Sequence, residues 1–284
     1  MRYLLLGLTV LLTTDPPDRG SERDALLAAD RALSERTAAV GVLSGFSPAF
    51  TEDAAYLYPG APLLRGSERI RAFLQSSDSI PKQTWTPVFG DVSADGRLGY
   101  TYGYTSAGGQ RGKYLACWKR TAAKGDSWRL AAFASTRLVP DSSRVSATPP
   151  KAVLSAQVRG RADSHELIAV DSTFAARSVS SGAKDAFLAF AAEEAVAFGG
   201  GPRITEGREA IGAGFDGFPA SAVLEWWPVT AQIAPSGDLG CTVGEARITS
   251  LNHFSKYITI WRRQADNSWK FVADGGNVRP APAP

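Results

Sequence analysis

The chain has 284 residues, 44% of them hydrophobic and 21% charged, with a formal net charge of +3. This composition excludes a disordered chain, and so small a charge gives no footing for nucleic acid without a basic stripe. Two cysteines and two histidines exclude a disulfide-rich scaffold and a cysteine-rich zinc site, while the length suits one large domain or two smaller ones.

The first segment stands apart from the rest. Met1-Arg2 is a basic start, Tyr3 to Leu12 is an apolar run, and Asp15-Pro16-Pro17 ends it. The run is too short for a finished transmembrane helix, which takes about 20 residues. Charge, apolar run and stop together predict an export signal. The expected protein is therefore periplasmic or secreted, with no membrane span once the signal is removed.

Sliding the chain over itself by 141 residues sets 26–103 against 167–244 without a gap, and 21 of the 78 positions are identical. They include Asp30/Asp171, Gly41/Gly182, Gly66/Gly207, Ile70/Ile211, Trp85/Trp226, Pro87/Pro228, Gly99/Gly240 and Gly103/Gly244. After a longer turn in the second copy, Lys113-Tyr114 faces Lys256-Tyr257 and Trp118 faces Trp261. The offset then returns at Ser127-Trp128 and Ser268-Trp269. So long a period is no solenoid repeat; each copy is a whole domain. The expected layout is a leader over 1–20, domains over 21–138 and 164–278, a Pro/Ser-rich linker over 139–163 and a loose tail over 279–284.

Each copy reads in the same order. A helical stripe at Leu26, Ala29, Leu33 and Val40 recurs at Leu167, Val170 and Phe174. Shorter helices are expected over 43–50 and 184–192, strands over 54–58 and 195–198, and a third helix after Gly66 and Gly207, with Ser67 a candidate cap. Four strands then follow, at 83–93, 97–107, 111–121 and 127–137, and at 223–234, 238–251, 254–264 and 268–275. Turn signals lie at Ala94-Asp95-Gly96 and Pro235-Ser236-Gly237. Helices followed by an antiparallel meander predict an α+β fold with helices on one face of a curved sheet. Alternation sets Tyr100, Tyr102 and Tyr104 on one face and Thr101, Gly103 and Thr105 on the other.

Several phrases carry a resemblance: Phe50-Thr-Glu-Asp-Ala, Arg65-Gly-Ser-Glu-Arg-Ile and Gly99-Tyr-Thr-Tyr-Gly in the first copy, and Asp238-Leu-Gly-Cys-Thr-Val-Gly and Lys256-Tyr-Ile-Thr-Ile-Trp-Arg-Arg in the second. Both copies resemble the nuclear transport factor 2-like superfamily, and within it the small bacterial SnoaL-like domains and a related domain of unknown function. The resemblance implies two tandem cone-shaped α+β barrels. The family holds isomerases, dehydratases and cyclases as well as proteins without known catalysis, so fold does not settle function. In similar steroid isomerases a carboxylate base ends the first strand; that place holds Tyr58 here and Gly199 in the second copy, which speaks against that chemistry. Similar single domains pair through their sheets, which implies an intramolecular pseudo-dimer. Two independent domains on a linker are the alternative.

Candidate residues follow. Asp30 and Asp171 sit on or beside the buried helix face and are the candidate acid–base groups, or else structural hydrogen-bond partners. Tyr58, Trp85, Tyr100, Tyr102, Tyr104 and Trp118, with Trp226, Glu245 and Trp261, are candidate ligand contacts. The tyrosine-rich wall reads equally as sheet core or as an interdomain face. Asp274 and His253 are further polar residues of the second copy. No metal cluster or dinucleotide motif is present, so no cofactor is expected. Cys117 and Cys241 occupy non-equivalent strand positions and are expected as free, buried thiols, pairing only if the domains bring them close. The leading functional reading is a protein that binds a small apolar or amphipathic ligand. An isomerase, dehydratase or cyclase using a helix aspartate, and a non-catalytic interaction scaffold, are the alternatives.

Overall fold

The computed structural model describes residues 18–76, 83–121, 127–140, 160–199, 201–219 and 221–282. The export segment and most of the linker lie outside the described residues. In the first domain α1 (Arg19–Gly41) runs into β1 (Phe50–Leu57), β2 (Leu64–Arg65) and α2 (Ser67–Ser76), then β3 (Thr84–Val92), β4 (Leu98–Ala107), β5 (Gln110–Thr121), β6 (Ser127–Ser135) and the short β7 (Val139–Pro140). The second domain repeats this with α3 (Ser164–Ser181), α4 (Ala183–Phe190), β8 (Ala191–Phe198), β9 (Thr205–Glu206), α5 (Arg208–Ala213), β10 (Leu224–Ile233), β11 (Leu239–Ile248), β12 (His253–Arg263) and β13 (Trp269–Val278).

The two sheets have one topology. Their strand orders are β2-β1-β6-β5-β4-β3 and β9-β8-β13-β12-β11-β10, with β7 added beside β5. The meanders are antiparallel, and each last long strand returns to pair in parallel with the first, β6 on β1 and β13 on β8. The long helices lie across the β3–β4 and β10–β11 ends of the sheets. Gly99 and Gly240 let them sit there: a Cβ would stand 2.6 Å from the Leu26 side chain at one and 2.2 Å from that of Leu167 at the other.

One expected element differs. Residues 43–50 form a π-helical turn (Val42–Phe46) and a 3-10 turn (Ser47–Ala49), not an α-helix. Pro48 lacks the amide that an α-helix needs and crowds the preceding turn, whereas the second copy has Ala189 there and forms α4. Ser67 is the first helical residue rather than the cap.

The face of β4 that carries Tyr100 and Tyr102 packs against the second domain, in one continuous buried cluster with Phe198, Val243, Ile258 and Ile260. The opposite face, with Thr101 and Thr105, closes the first cone. The interdomain contact is isologous in its details. Lys113 donates to the carbonyls of Gly199, Gly201 and Arg203 at 2.6, 2.5 and 3.1 Å. Its counterpart Lys256 donates to the carbonyls of Tyr58 and Ala61 at 2.9 and 2.7 Å, and to that of Val278 at 2.9 Å. Each lysine thus crosses to the loop that follows the other domain's first strand. Burial holds both ammonium groups below the ordinary lysine range, Lys113 at about 8 and Lys256 at about 7. Arg262 donates to Asp91 at 2.6 Å, and the equivalent pair is Lys119 with Gln232 at 3.2 Å.

The cysteines correct the expectation of free thiols: Cys117 and Cys241 form a disulfide between the two domains. Both face the interdomain side of their strands. The sheet-to-sheet packing brings them together although they are not equivalent positions of the duplication. Their counterparts are Ile260 and Tyr100, which the strand ladders set beside Cys241 and Cys117 respectively.

Candidate functional site

The two helix aspartates are placed alike. Asp30 is fully buried and accepts hydrogen bonds from Trp85 Nε1 and the Tyr114 hydroxyl, both at 2.6 Å. Asp171, also fully buried, accepts from Trp226 Nε1 at 2.9 Å and the Tyr257 hydroxyl at 3.0 Å. Behind them Trp118 Nε1 donates to Thr101 at 2.7 Å, and Trp261 Nε1 to Thr242 at 2.9 Å. The duplication has kept all five positions. Burial raises both carboxyls above the usual range, Asp171 to about 6, with the hydrogen bonds opposing the shift. Because the same network occurs in both domains, whatever distinguishes one cone from the other must lie elsewhere.

The cones differ in what fills them. In the first, Phe133 stacks on Tyr114 at 5.4 Å between centroids and meets Phe46 at 5.1 Å edge-on. Phe73 lies against Tyr56 and Tyr58 at 6.3 and 5.5 Å. These rings close the space under α1. In the second domain the residues at the same places are Asp274 for Phe133, Ala197 for Tyr56, Gly199 for Tyr58 and Gly214 for Phe73. The strand registers fix the first two equivalences, since Tyr56 pairs with Phe133 and Asp274 with Ala197. Four aromatic rings are thus replaced by one carboxylate and three small residues. All four line a cavity of about 650 Å³.

That cavity has an apolar inner wall of Phe174, Phe187, Ile211, Phe215, Leu224 and Trp226, and Tyr257, Thr259 and Asp274 are among its polar lining residues. Asp274 accepts from the Thr259 hydroxyl at 2.6 Å. Asp274 is half-buried and lines the cavity. Desolvation, with a smaller contribution from nearby Asp171, raises the carboxyl to about 7. It is thus poised to change protonation near neutrality, either donating or accepting a hydrogen bond from a bound molecule. The cavity volume is in the range of sites for small organic ligands.

Of the residues singled out from sequence, Trp226, Asp274 and His253 line this cavity. Asp171 lies behind Tyr257 and Trp226, and Asp30 is sealed in the first core. Trp85 and Trp118 belong to that core, and Trp261 to the second domain's core. Tyr100, Tyr102 and Tyr104 form the interdomain wall: Tyr102 meets Phe198 edge-on at 5.7 Å, and the Tyr104 hydroxyl accepts from the Ile204 amide at 3.5 Å. Tyr58 borders a second, smaller pocket. Glu245 is half-buried and pairs with Arg279 at 3.2 Å. His253 opens β12 at the cavity's mouth. Among the described residues no cluster of metal-ligating side chains occurs.

Asp274 gives the fold a pH dependence of definite sign. A carboxyl whose folded pKa stands above its unfolded value contributes stability that is complete below about pH 4 and is lost as pH rises through its folded pKa. The two carboxyls therefore make stability fall as pH rises through about 6 for Asp171 and about 7 for Asp274, while the lowered ammonium groups of Lys256 and Lys113 oppose that fall above about pH 7. Asp274→Asn should flatten this profile and leave the variant about 2 kcal/mol more stable than the parent at pH 8. Urea unfolding at pH 5 and pH 8 reads it; an unchanged slope would show that Asp274 ionises as freely as an exposed carboxylate.

The fold and the cavity define a tandem α+β cone protein with one cone filled and one open. No protein-family model matches the chain, and no curated protein matches it. Solved structures similar to it include an NTF2-like protein with a cystatin-like fold from Novosphingobium aromaticivorans, 17% identical, covering 40% of this chain and 80% of that one at a TM-score of 0.33. An NTF2-like protein of unknown function from Pseudomonas putida is 15% identical over 40% of this chain and 84% of that one, TM-score 0.34. A domain of unknown function with a cystatin-like fold from Nostoc punctiforme is 17% identical over 43% and 80%, TM-score 0.35. These are likenesses of fold alone.

Proposed function

We propose that this protein binds a small, largely apolar molecule in the cone of its second domain, and that the first domain is its structural half. The exchange of Tyr56, Tyr58, Phe73 and Phe133 for Ala197, Gly199, Gly214 and Asp274 carries this reading. It removes ring volume at four adjoining places and puts a single polar group where the volume was lost. An exported setting fits the same picture: the apolar run Tyr3–Leu12 has the form of a signal, and a buried disulfide is characteristic of oxidising compartments. The sheet faces that a scaffold would use are occupied by the other domain.

Acid–base catalysis is the second reading, and Asp274 is the observation that favours it. Its carboxyl titrates near neutrality inside an apolar chamber beside a tyrosine, an arrangement able to move a proton on a bound substrate. The helix aspartates do not offer this, since their oxygens are already held by indole and phenol donors.

Fluorescence titration with the neutral probe N-phenyl-1-naphthylamine tests the binding reading. One equivalent per chain is expected, with the emission shift of an apolar environment. No saturable binding would overturn it.

A further inference from the structure

The cavity does not end at the second cone. A second pocket of about 490 Å³ lies over the mouth of the first cone, and the two share Pro59, Thr136, Arg137 and Val278 as common wall. Their chemistry differs. The inner end of the large cavity is aromatic and aliphatic, whereas the outer pocket presents Gln83, Gln110, Ser135 and Arg137.

The charges are distributed unevenly as well. The only acid lining either pocket among the described residues is Asp274, at the apolar end. Around the shared mouth stand Arg111, Lys113, Arg137 and Lys256. The two lysines are spent on backbone carbonyls across the interface. The Arg111 guanidinium lies over the Tyr104 ring, 5.3 Å from its centroid. Arg137 is exposed at the boundary of both pockets.

We infer that the ligand is an amphipathic anion: its apolar body fills the second cone, and its acidic head group emerges at the mouth, where Arg137 of the first domain meets it and the glutamines of the outer pocket flank it. The inference rests on the second cone being the binding site, and it adds the charge of the ligand and a role for the first domain. An arginine offers a carboxylate, sulfonate or phosphate a planar fork of donors, and the surplus of positive charge at the mouth favours a negatively charged partner.

Two probes with one skeleton test this: N-phenyl-1-naphthylamine, which is neutral, and 1-anilinonaphthalene-8-sulfonate, which carries the anion. At low ionic strength the sulfonate should bind at least about fivefold more tightly than the neutral probe. Arg137→Gln should abolish that advantage and leave the affinity for the neutral probe unchanged. Raising the salt concentration should shrink the advantage in the parent and not in the variant. A third protein, Ala197→Tyr with Asp274→Phe, should bind neither probe, which ties the sulfonate signal to the cone. Equal affinities in the parent, an Arg137→Gln variant that keeps its preference, or sulfonate binding that survives the filled cone would each overturn the inference while leaving the neutral-probe result to stand. Failure of both probes to bind the parent would instead remove the site itself.

Discussion

Replacing Cys117 and Cys241 together by alanine is expected to lower the unfolding free energy by about 4 kcal/mol, the loss that chain-entropy reasoning gives for opening a loop of order 100 residues. The bonded cysteines are 124 residues apart and join the two domains, so the cross-link closes one long loop of the unfolded chain. The corresponding fall in Tm is about 10 °C. The domains should nonetheless stay docked and unfold in one transition. The reason lies in the rest of the interface: two buried lysines that hold three and two carbonyls of the other domain, the Arg262–Asp91 pair and a continuous apolar cluster. Urea unfolding of the double variant, with matched non-reducing and reducing series on the parent, measures both points. A loss under about 1 kcal/mol would show that the bond adds little to an interface already fixed. Two separate transitions would show that it is what holds the domains together.

The second large effect belongs to Asp30. Asp30→Ala leaves Trp85 Nε1 and the Tyr114 hydroxyl buried without an acceptor and opens a void between α1 and the sheet. Each stranded donor costs about 1–3 kcal/mol, so the variant should lose about 4 kcal/mol. Asp30→Asn retains one carbonyl oxygen and should lose about half as much. The matching change at Asp171 should be milder. Its hydrogen bonds are longer, 2.9 and 3.0 Å against 2.6 Å, and the open cavity beside Tyr257 lets water reach a freed hydroxyl. Thermal unfolding of the four variants at one pH ranks them; a costlier loss at Asp171 would contradict the assignment of the first cone as the closed one.

Much of the architecture was legible because glycine, proline and tryptophan recur in order at a fixed offset. Gly99 and Gly240 had to be small for the helix to seat, and Trp85 and Trp226 had to reach an aspartate, so the duplication preserved them. The helix stripes and the period-two alternation then gave the helices and strands nearly to their ends. Pro48 spoiled one helix of the first copy, a signal that was present in the sequence and is clear once α4 is seen beside it.

The site was harder to read for a physical reason. Aromatic residues suggest a pocket and a core equally well, and here Tyr100 and Tyr102 line neither cone but the seam between domains. Ligand space is marked by missing side chains: Ala197 and Gly214 attract no notice when one copy is read alone, and Gly199 drew it only as a missing carboxylate. Comparing the copies at strand positions that share a face would have found them: Tyr56 against Ala197 and Phe133 against Asp274 are large losses of volume at two positions that pair with each other. The disulfide escaped for a related reason, since Cys117 and Cys241 are not equivalents and meet only through the sheet-to-sheet docking.

The central claim is that these exchanges alone decide which cone is open. Titration of the neutral naphthylamine probe into the parent and into Ala197→Tyr with Asp274→Phe tests it most directly, because the double variant gives the second cone the rings that close the first. One bound probe in the parent and none in a fully folded variant is the expected result. A second equivalent in the parent, or binding retained by the filled variant, would contradict the claim and place the ligand outside the second cone.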